Sequence, residues 1–184
     1  NPISQLALTL ANGFTIVEDF LTPDAMEEWR AAVDAPVTER GLYRSPKERA
    51  GENATYYTRV FIQSLNMWQE SDRIKDLVLD PRIGKMCCEL EGIDGIRVWH
   101  DQALIKEPWG NQTSFHLDNP YWSFSSRHAI SIWVALDDVT LENGCLYFLP
   151  GTHKTATWEN CGIGQNMADI FSVYPEWAKI ESAS

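Results

Sequence analysis

The sequence predicts a mainly β domain with flanking helices, in which helices pack outside an antiparallel sheet or jelly roll. Three observations carry this. The apolar period is helical in the first half of the chain and changes to two after Ile96. Residues 129–136 alternate most strongly, placing Ile130, Ile132, Val134 and Leu136 on one face. A length of 184 residues, 44% of them hydrophobic, is enough for one domain with a real core.

The elements follow in order. Residues 13–18 read as a short strand. Thr22 then caps a helix with Pro23 at its first position, where the missing N–H costs nothing. Leu21 and Met26 can staple its start, Met26, Trp29 and Val33 form its buried face, and Pro36 is expected to end it. Residues 40–55 read as a polar loop and 56–65 as a strand. Ser71 to Leu79 reads as a helix. Asp80-Pro81 repeats the cap-then-proline signal, and Gly92 ends the helix it opens. Residues 96–106, 129–136 and 145–149 read as strands, with a turn at Glu142-Asn143-Gly144 and a stop at Pro150-Gly151. The domain is thus expected to span 1–184, with a mostly helical part at 1–95, a strand-rich part at 96–154 and a tail at 155–184.

Fifteen basic residues stand against 26 acidic ones, for a net charge of −11. That argues against nucleic acid and against an anionic membrane, since binding phosphate needs a basic surface. Eight Trp suggest a large core or an aromatic-lined cavity suited to a small-molecule substrate. No apolar run approaches the roughly 20 residues of a membrane helix, and the first residues lack a targeting pattern. Cys87, Cys88, Cys145 and Cys161 have no metal-type spacing and read as reduced thiols of a cytoplasmic protein.

His116-Leu117-Asp118 is the sharpest local feature. On a strand, residues two apart project from one face, so imidazole and carboxylate can grip one metal ion. Such a pair completed by a second His is the facial triad of non-haem Fe(II) oxygenases. The plainer reading is a His capped by a nearby Asp in a loop.

The wider context is a run of blocks in fixed order: residues 101–108 (DQALIKEP), 113–122 (TSFHLDNPYW), 132–138 (IWVALDD), and 142–146 (ENGCL) running on to 150–154 (PGTHK). With these blocks the chain resembles the phytanoyl-CoA dioxygenase family. The resemblance implies a double-stranded β-helix (a cupin-like jelly-roll barrel), with Fe(II) as cofactor and 2-oxoglutarate as cosubstrate. It implies that His116 and Asp118 bind iron, and that Gln102, Thr113 and Trp133 lie against 2-oxoglutarate. For Trp133, core packing is the competing reading. Arg59 and Gln63 would share a strand face toward the same site. The implied activity is hydroxylation of a small metabolite, lipid or natural-product intermediate, with succinate and CO2 as coproducts.

Other residues keep plainer readings. His153 belongs to a family hallmark but is not a ligand there, and His100 and His128 read as structural. Tyr121 and Trp122 line a substrate pocket or pack at its rim, and residues 155–184 form a lid, a substrate loop or an ordinary surface loop. The family's distal His ligand and its 2-oxoglutarate-binding Arg find no match, because all four His lie at or before 153. The expectation is a fragment lacking the last strands of the barrel. The rival is a non-catalytic jelly-roll module that lacks the third iron ligand. Oligomeric state is open.

Overall fold

The structure is a computed structural model that describes residues 2–40, 61–126 and 128–182. The predicted loop at 41–55, the first part of the predicted strand at 56–65, and Arg59 fall outside these residues.

Six α-helices, three single-turn 3-10 helices and one strand pair make up the regular structure among the described residues. Helix α1 spans Pro2–Asn12 and α2 spans Pro23–Glu39. Strand β1 (Ile62–Leu65) is followed by α3 (Asp72–Val78) and α4 (Pro81–Glu91). Strand β2 (Gln102–Ile105) precedes a long irregular stretch. Short helices α5 (Ile170–Val173) and α6 (Trp177–Glu181) close the described chain.

The helix starts follow the predicted chemistry. Thr22 caps α2 by accepting from the Ala25 N–H at 3.3 Å. Asp80 caps α4 through Arg82 N–H at 2.8 Å, and α3 carries a cap not predicted from the sequence, Ser71 accepting from Ile74 N–H. Gly92 ends α4 in the left-handed conformation, φ +65°, as predicted.

Pro36 does not end α2. The helix runs through it to Glu39, because Val37 behind it is fully buried and the Pro36 carbonyl still accepts from Arg40 N–H at 3.0 Å. Packing of Val37 outweighs the lost backbone donor.

Strands β1 and β2 pair antiparallel, with Ile62 opposite Ile105 and Ser64 opposite Ala103. Inward-facing Ile62 and Ala103 join Val37, Met67 and Ile74 in the first core, so the sheet's buried face rests on α2 and α3. Arg40 closes its end, hydrogen-bonding the buried Ser64 hydroxyl and pairing with Glu70 at 2.6 Å.

The predicted strands at 13–18, 129–136 and 145–149 are not strands among the described residues, and the strand at 96–106 shrinks to β2. The physical reason is the absence of a ladder partner there. Alternation marks which side chains want burial, but a strand exists only when a neighbour pairs its backbone groups. Ile132, Leu146 and Phe148 remain 42%, 46% and 56% exposed, with Phe148 stacked on Phe14 at 5.0 Å, so this alternating surface is only partly covered among the described residues.

A second core lies beneath residues 115–117. Ile170, Tyr174 and Trp177 are buried, and Phe115, Leu117, Leu149 and Cys161 pack against them. Tyr174 and Trp177 stack at 3.9 Å with rings 7° apart. The Tyr174 hydroxyl donates to Glu159 O at 2.7 Å and meets Thr157 on its other side. Residues 155–161 are thereby fastened to the tail helices. The predicted turn at Glu142-Asn143-Gly144 is present, with Asn143 bridging Thr140 N–H and Asp138 O. The Pro150-Gly151 corner docks on α1, since Gly151 N–H donates to Asn12 O at 2.8 Å. No described helix is long and apolar enough to cross a membrane.

Candidate metal centre

His116 and Asp118 come together, though not on a strand as expected. Residues 111–117 are irregular, and Asp118 is the residue before a single helical turn, Asn119–Tyr121. That turn swings the carboxylate back, leaving His116 Nε2 and Asp118 Oδ1 3.3 Å apart.

Each side chain is oriented by a second partner. His116 Nδ1 lies 2.9 Å from the Ser114 carbonyl. A carbonyl only accepts, so Nδ1 carries the proton, and the neutral ring turns the Nε2 lone pair toward the carboxylate. The Ser131 hydroxyl donates to the other carboxylate oxygen, Oδ2, at 3.1 Å. Two electron-pair donors facing each other repel unless a cation lies between them. A proton satisfies the pair in one way, a metal ion in another.

The titration behaviour follows. Burial pulls the His116 pKa down. The Asp118 hydrogen bond, the Ser114 carbonyl and the Asp118 charge outweigh it, so the imidazole stays protonated above its ordinary 6.5. The hydrogen bond from His116 holds Asp118 below its usual 3.8, against an opposing push from burial, with help from Ser131 and the His100 charge.

Imidazole nitrogen plus carboxylate oxygen suits a borderline ion such as Fe(II). On donor chemistry and geometry the dyad therefore fits two of the three ligands of a facial triad. No group of three or more His, Cys, Asp or Glu side chains poised for a metal occurs among the described residues. Cys87 is buried and unpaired, and burial pushes its thiol up, away from the thiolate a metal prefers.

Of the other predicted residues, His100 acts on the dyad through its charge on Asp118, and the rest lie apart from the dyad's described contacts. Gln102, on the exposed face of β2, accepts from Gln63 Nε2 at 2.9 Å. Thr113 is half-buried just before Ser114, and Trp133 is 43% exposed two residues after Ser131. His153 packs its ring over Gly13. His128 pairs with Glu91 at 3.3 Å on the surface. His100 sits edge-on to Trp99 at 4.2 Å, and its Nδ1 is buried without a partner.

Sequence reasoning missed Ser114, Ser131 and Asn160. Asn160 bonds both backbone groups of Leu117, the residue between His116 and Asp118. Nothing local marks these residues, because a Ser or Asn gains such a role only when a distant backbone group arrives beside it.

Beside the dyad an open cleft of about 540 Å³ is lined by Asn119, Pro120, Trp122, Phe124 and Trp158, together with Ser123 and Ser125. Trp122 and Phe124 stack at 5.3 Å, and Trp99 stands edge-on to Phe124 at 5.4 Å. The cleft's lining residues carry no charge.

Comparison with known proteins fits this geometry. The family model described as phytanoyl-CoA dioxygenase (PhyH) matches residues 10–162. Dioxygenase lolE1 of Epichloe uncinata is 37% identical over 83 residues, covering 45% of this chain and 32% of its own. A phytanoyl-CoA dioxygenase domain-containing protein 1 homolog of Caenorhabditis elegans is 34% identical over 184 residues, covering 81% of this chain and 64% of its own. The match to the ectoine dioxygenase of Nocardia farcinica, 27% identical, spans 82% of this chain and 51% of that protein. The chain therefore spans less than two thirds of the length of these relatives. Among solved structures, the non-heme alpha ketoglutarate dependent carbocyclase SnoK from nogalamycin biosynthesis superposes with a TM-score of 0.71 at 23% identity. That superposition covers 94% of this chain and 66% of the other, and shows a shared fold. A family match that takes in both the dyad and the blocks around it leads to one conclusion: the chain belongs to the phytanoyl-CoA dioxygenase family.

Proposed function

We propose that this chain is the metal-site part of an Fe(II)- and 2-oxoglutarate-dependent oxygenase that hydroxylates a small apolar molecule. The observation that carries the reading is the 3.3 Å approach of His116 Nε2 to Asp118 Oδ1, with each group oriented by a second partner. Residues 96–154 form the metal-site half of a double-stranded β-helix in this reading. Gln102, Thr113 and Trp133 are the proposed contacts to 2-oxoglutarate.

When bound, iron and 2-oxoglutarate would activate O2, one oxygen atom passing into succinate as 2-oxoglutarate loses CO2 and the other into a substrate C–H bond. The chain's own residues do the rest. The Ser114 carbonyl fixes the His116 tautomer so that Nε2 is the free donor. Ser131 occupies Oδ2 of Asp118 and leaves Oδ1 as the coordinating oxygen. Trp122, Phe124 and Trp158 offer flat apolar walls, while Asn119 and the serines can orient a hydroxyl or carbonyl. A neutral cleft in a chain of net charge −11 disfavours phosphate-bearing substrates such as acyl-CoA. A small metabolite, lipid or natural-product intermediate with a flat apolar body fits it better.

The test is anaerobic titration of the chain with Fe(II) and 2-oxoglutarate, followed by visible absorption. A metal-to-ligand charge-transfer band that disappears in His116→Ala supports the reading. A band indifferent to His116→Ala refutes it, and so does the lack of a band in a form extended to the full length of its relatives, which favours a non-catalytic binding module.

A further inference from the structure

We propose that Asn160 is a positioning residue for the metal centre. Its carboxamide holds Leu117 by both backbone groups and so fixes the spacing of His116 and Asp118. The inference rests on reading those two residues as metal ligands.

Three sets of contacts carry it. First, Asn160 Oδ1 accepts from Leu117 N–H at 3.2 Å, and Asn160 Nδ2 donates to Leu117 O at 2.9 Å. This is what a neighbouring strand would do for residue 117, delivered by a side chain 43 residues away. Only an amide offers a donor and an acceptor side by side at this reach. Second, the same strap holds the residues on either side. Gly164 N–H donates to the hydroxyl of Ser114, which is 3% exposed and whose carbonyl fixes His116. The Cys161 thiol faces Phe115 O at 3.6 Å, and the Tyr121 hydroxyl donates to Cys161 O at 3.2 Å. Third, the Leu117 side chain packs against the Ile170–Tyr174–Trp177 core, so residue 117 is gripped by its backbone on one side and its side chain on the other.

The alternative is that Asn160 only contributes stability. The two roles separate experimentally. In an irregular segment, no ladder sets the angle between the two ligand side chains. Removing the amide frees the Leu117 peptide groups and lets His116 and Asp118 drift apart. Loss of an outer partner of this kind typically lowers metal affinity about 10–100-fold.

The experiment titrates the full chain with Co(II), a stand-in for Fe(II) that resists oxidation, and reads visible absorption alongside thermal melting. Four proteins are compared: wild type, Asn160→Ala, His116→Ala, and Asp80→Ala. Asp80→Ala loses a helix cap that has no contact with the residues around the dyad. His116→Ala is expected to abolish binding. Asn160→Ala is expected to weaken it about 10–100-fold. Asp80→Ala is expected to melt earlier with affinity unchanged. Asn160→Ala with wild-type affinity overturns the proposal, and so does an equal affinity loss in Asp80→Ala. If Asn160→Ala does not fold, Asn160→Ser carries the same expectation, since its hydroxyl is too short to span both Leu117 groups. Wild-type chain that takes no Co(II), or binding that survives His116→Ala, removes the ligand reading and the proposal with it.

Discussion

At the scale of single residues, the His116–Asp118 pair ties metal binding to pH. His116 is raised above 6.5 and Asp118 lowered below 3.8, so the metal-free pair is charged on both sides between those values. It stabilises the fold there. That contribution fades as pH rises through the raised His116 pKa, and again as pH falls through the lowered Asp118 pKa. Melting temperatures of wild type and His116→Ala, measured without metal, should therefore differ most in the window between the two and converge on either side. Metal must displace the proton from Nε2, so Co(II) affinity should fall as the solution is acidified through the His116 pKa. An affinity flat between pH 8 and 6 would contradict this. Ser131 gives a sharper test. Ser131→Ala frees Asp118 Oδ2 and should weaken metal binding without abolishing it, about 10-fold by titration.

At the scale of elements, one helix cap and one crossing between distant segments each carry a test. Asp80 caps α4, and its carboxylate also meets Arg82 at 2.6 Å. The side-chain hydrogen bond from Arg82 holds the Asp80 carboxyl below its usual 3.8, against burial. Asp80→Ala should cost about 1 kcal/mol in urea unfolding. The wild-type advantage, present above pH 3.8, should vanish as pH falls through the lowered Asp80 pKa. Gly13 ends α1 at φ +86°, and an added Cβ would lie 2.5 Å from His153 Nδ1. Gly13→Ala should therefore cost at least about 1–2 kcal/mol from the backbone conformation alone. A His153→Ala background should relieve the crowding but not the backbone strain.

The elements also show what sequence alone makes legible. Helices α2 and α4 were readable because Thr22 and Asp80 cap them through bonds reaching two or three residues along the chain, and α3 because Ile74, Leu77 and Val78 repeat at helical spacing. The strands were only half readable. Alternation at 129–136 states a preference for burial, but pairing depends on a partner elsewhere in the chain. Pro36 misled because burial of Val37 is a tertiary fact. The dyad was legible in kind, since His and Asp two apart are metal donors by type. Its support was not: Ser131 and Asn160 reach it across 13 and 43 residues.

At the scale of the whole molecule, charge and aromatic surface point the same way. With a net charge of −11 and no basic residue among its lining side chains, the cleft walled by Trp122, Phe124 and Trp158 offers little to a phosphate-bearing substrate. Flat neutral molecules should quench its tryptophan fluorescence saturably, and Trp122→Ala should weaken that binding several-fold. Coenzyme A at the same concentration should leave the fluorescence unchanged. Saturable quenching by coenzyme A with none by a neutral ring compound would reverse the substrate class proposed for the site.

The strap that carries Asn160 has a consequence for how the site is made and unmade. During synthesis the His116–Asp118 motif leaves the ribosome well before the residues that hold it in shape. A nascent chain stopped before position 160 would carry His116 and Asp118 without the amide that holds the Leu117 backbone between them. The reverse holds in the finished chain. Gly162 is exposed, so a protease that nicks the strap there would leave both ligands intact and disarm the site by cutting a segment that touches neither.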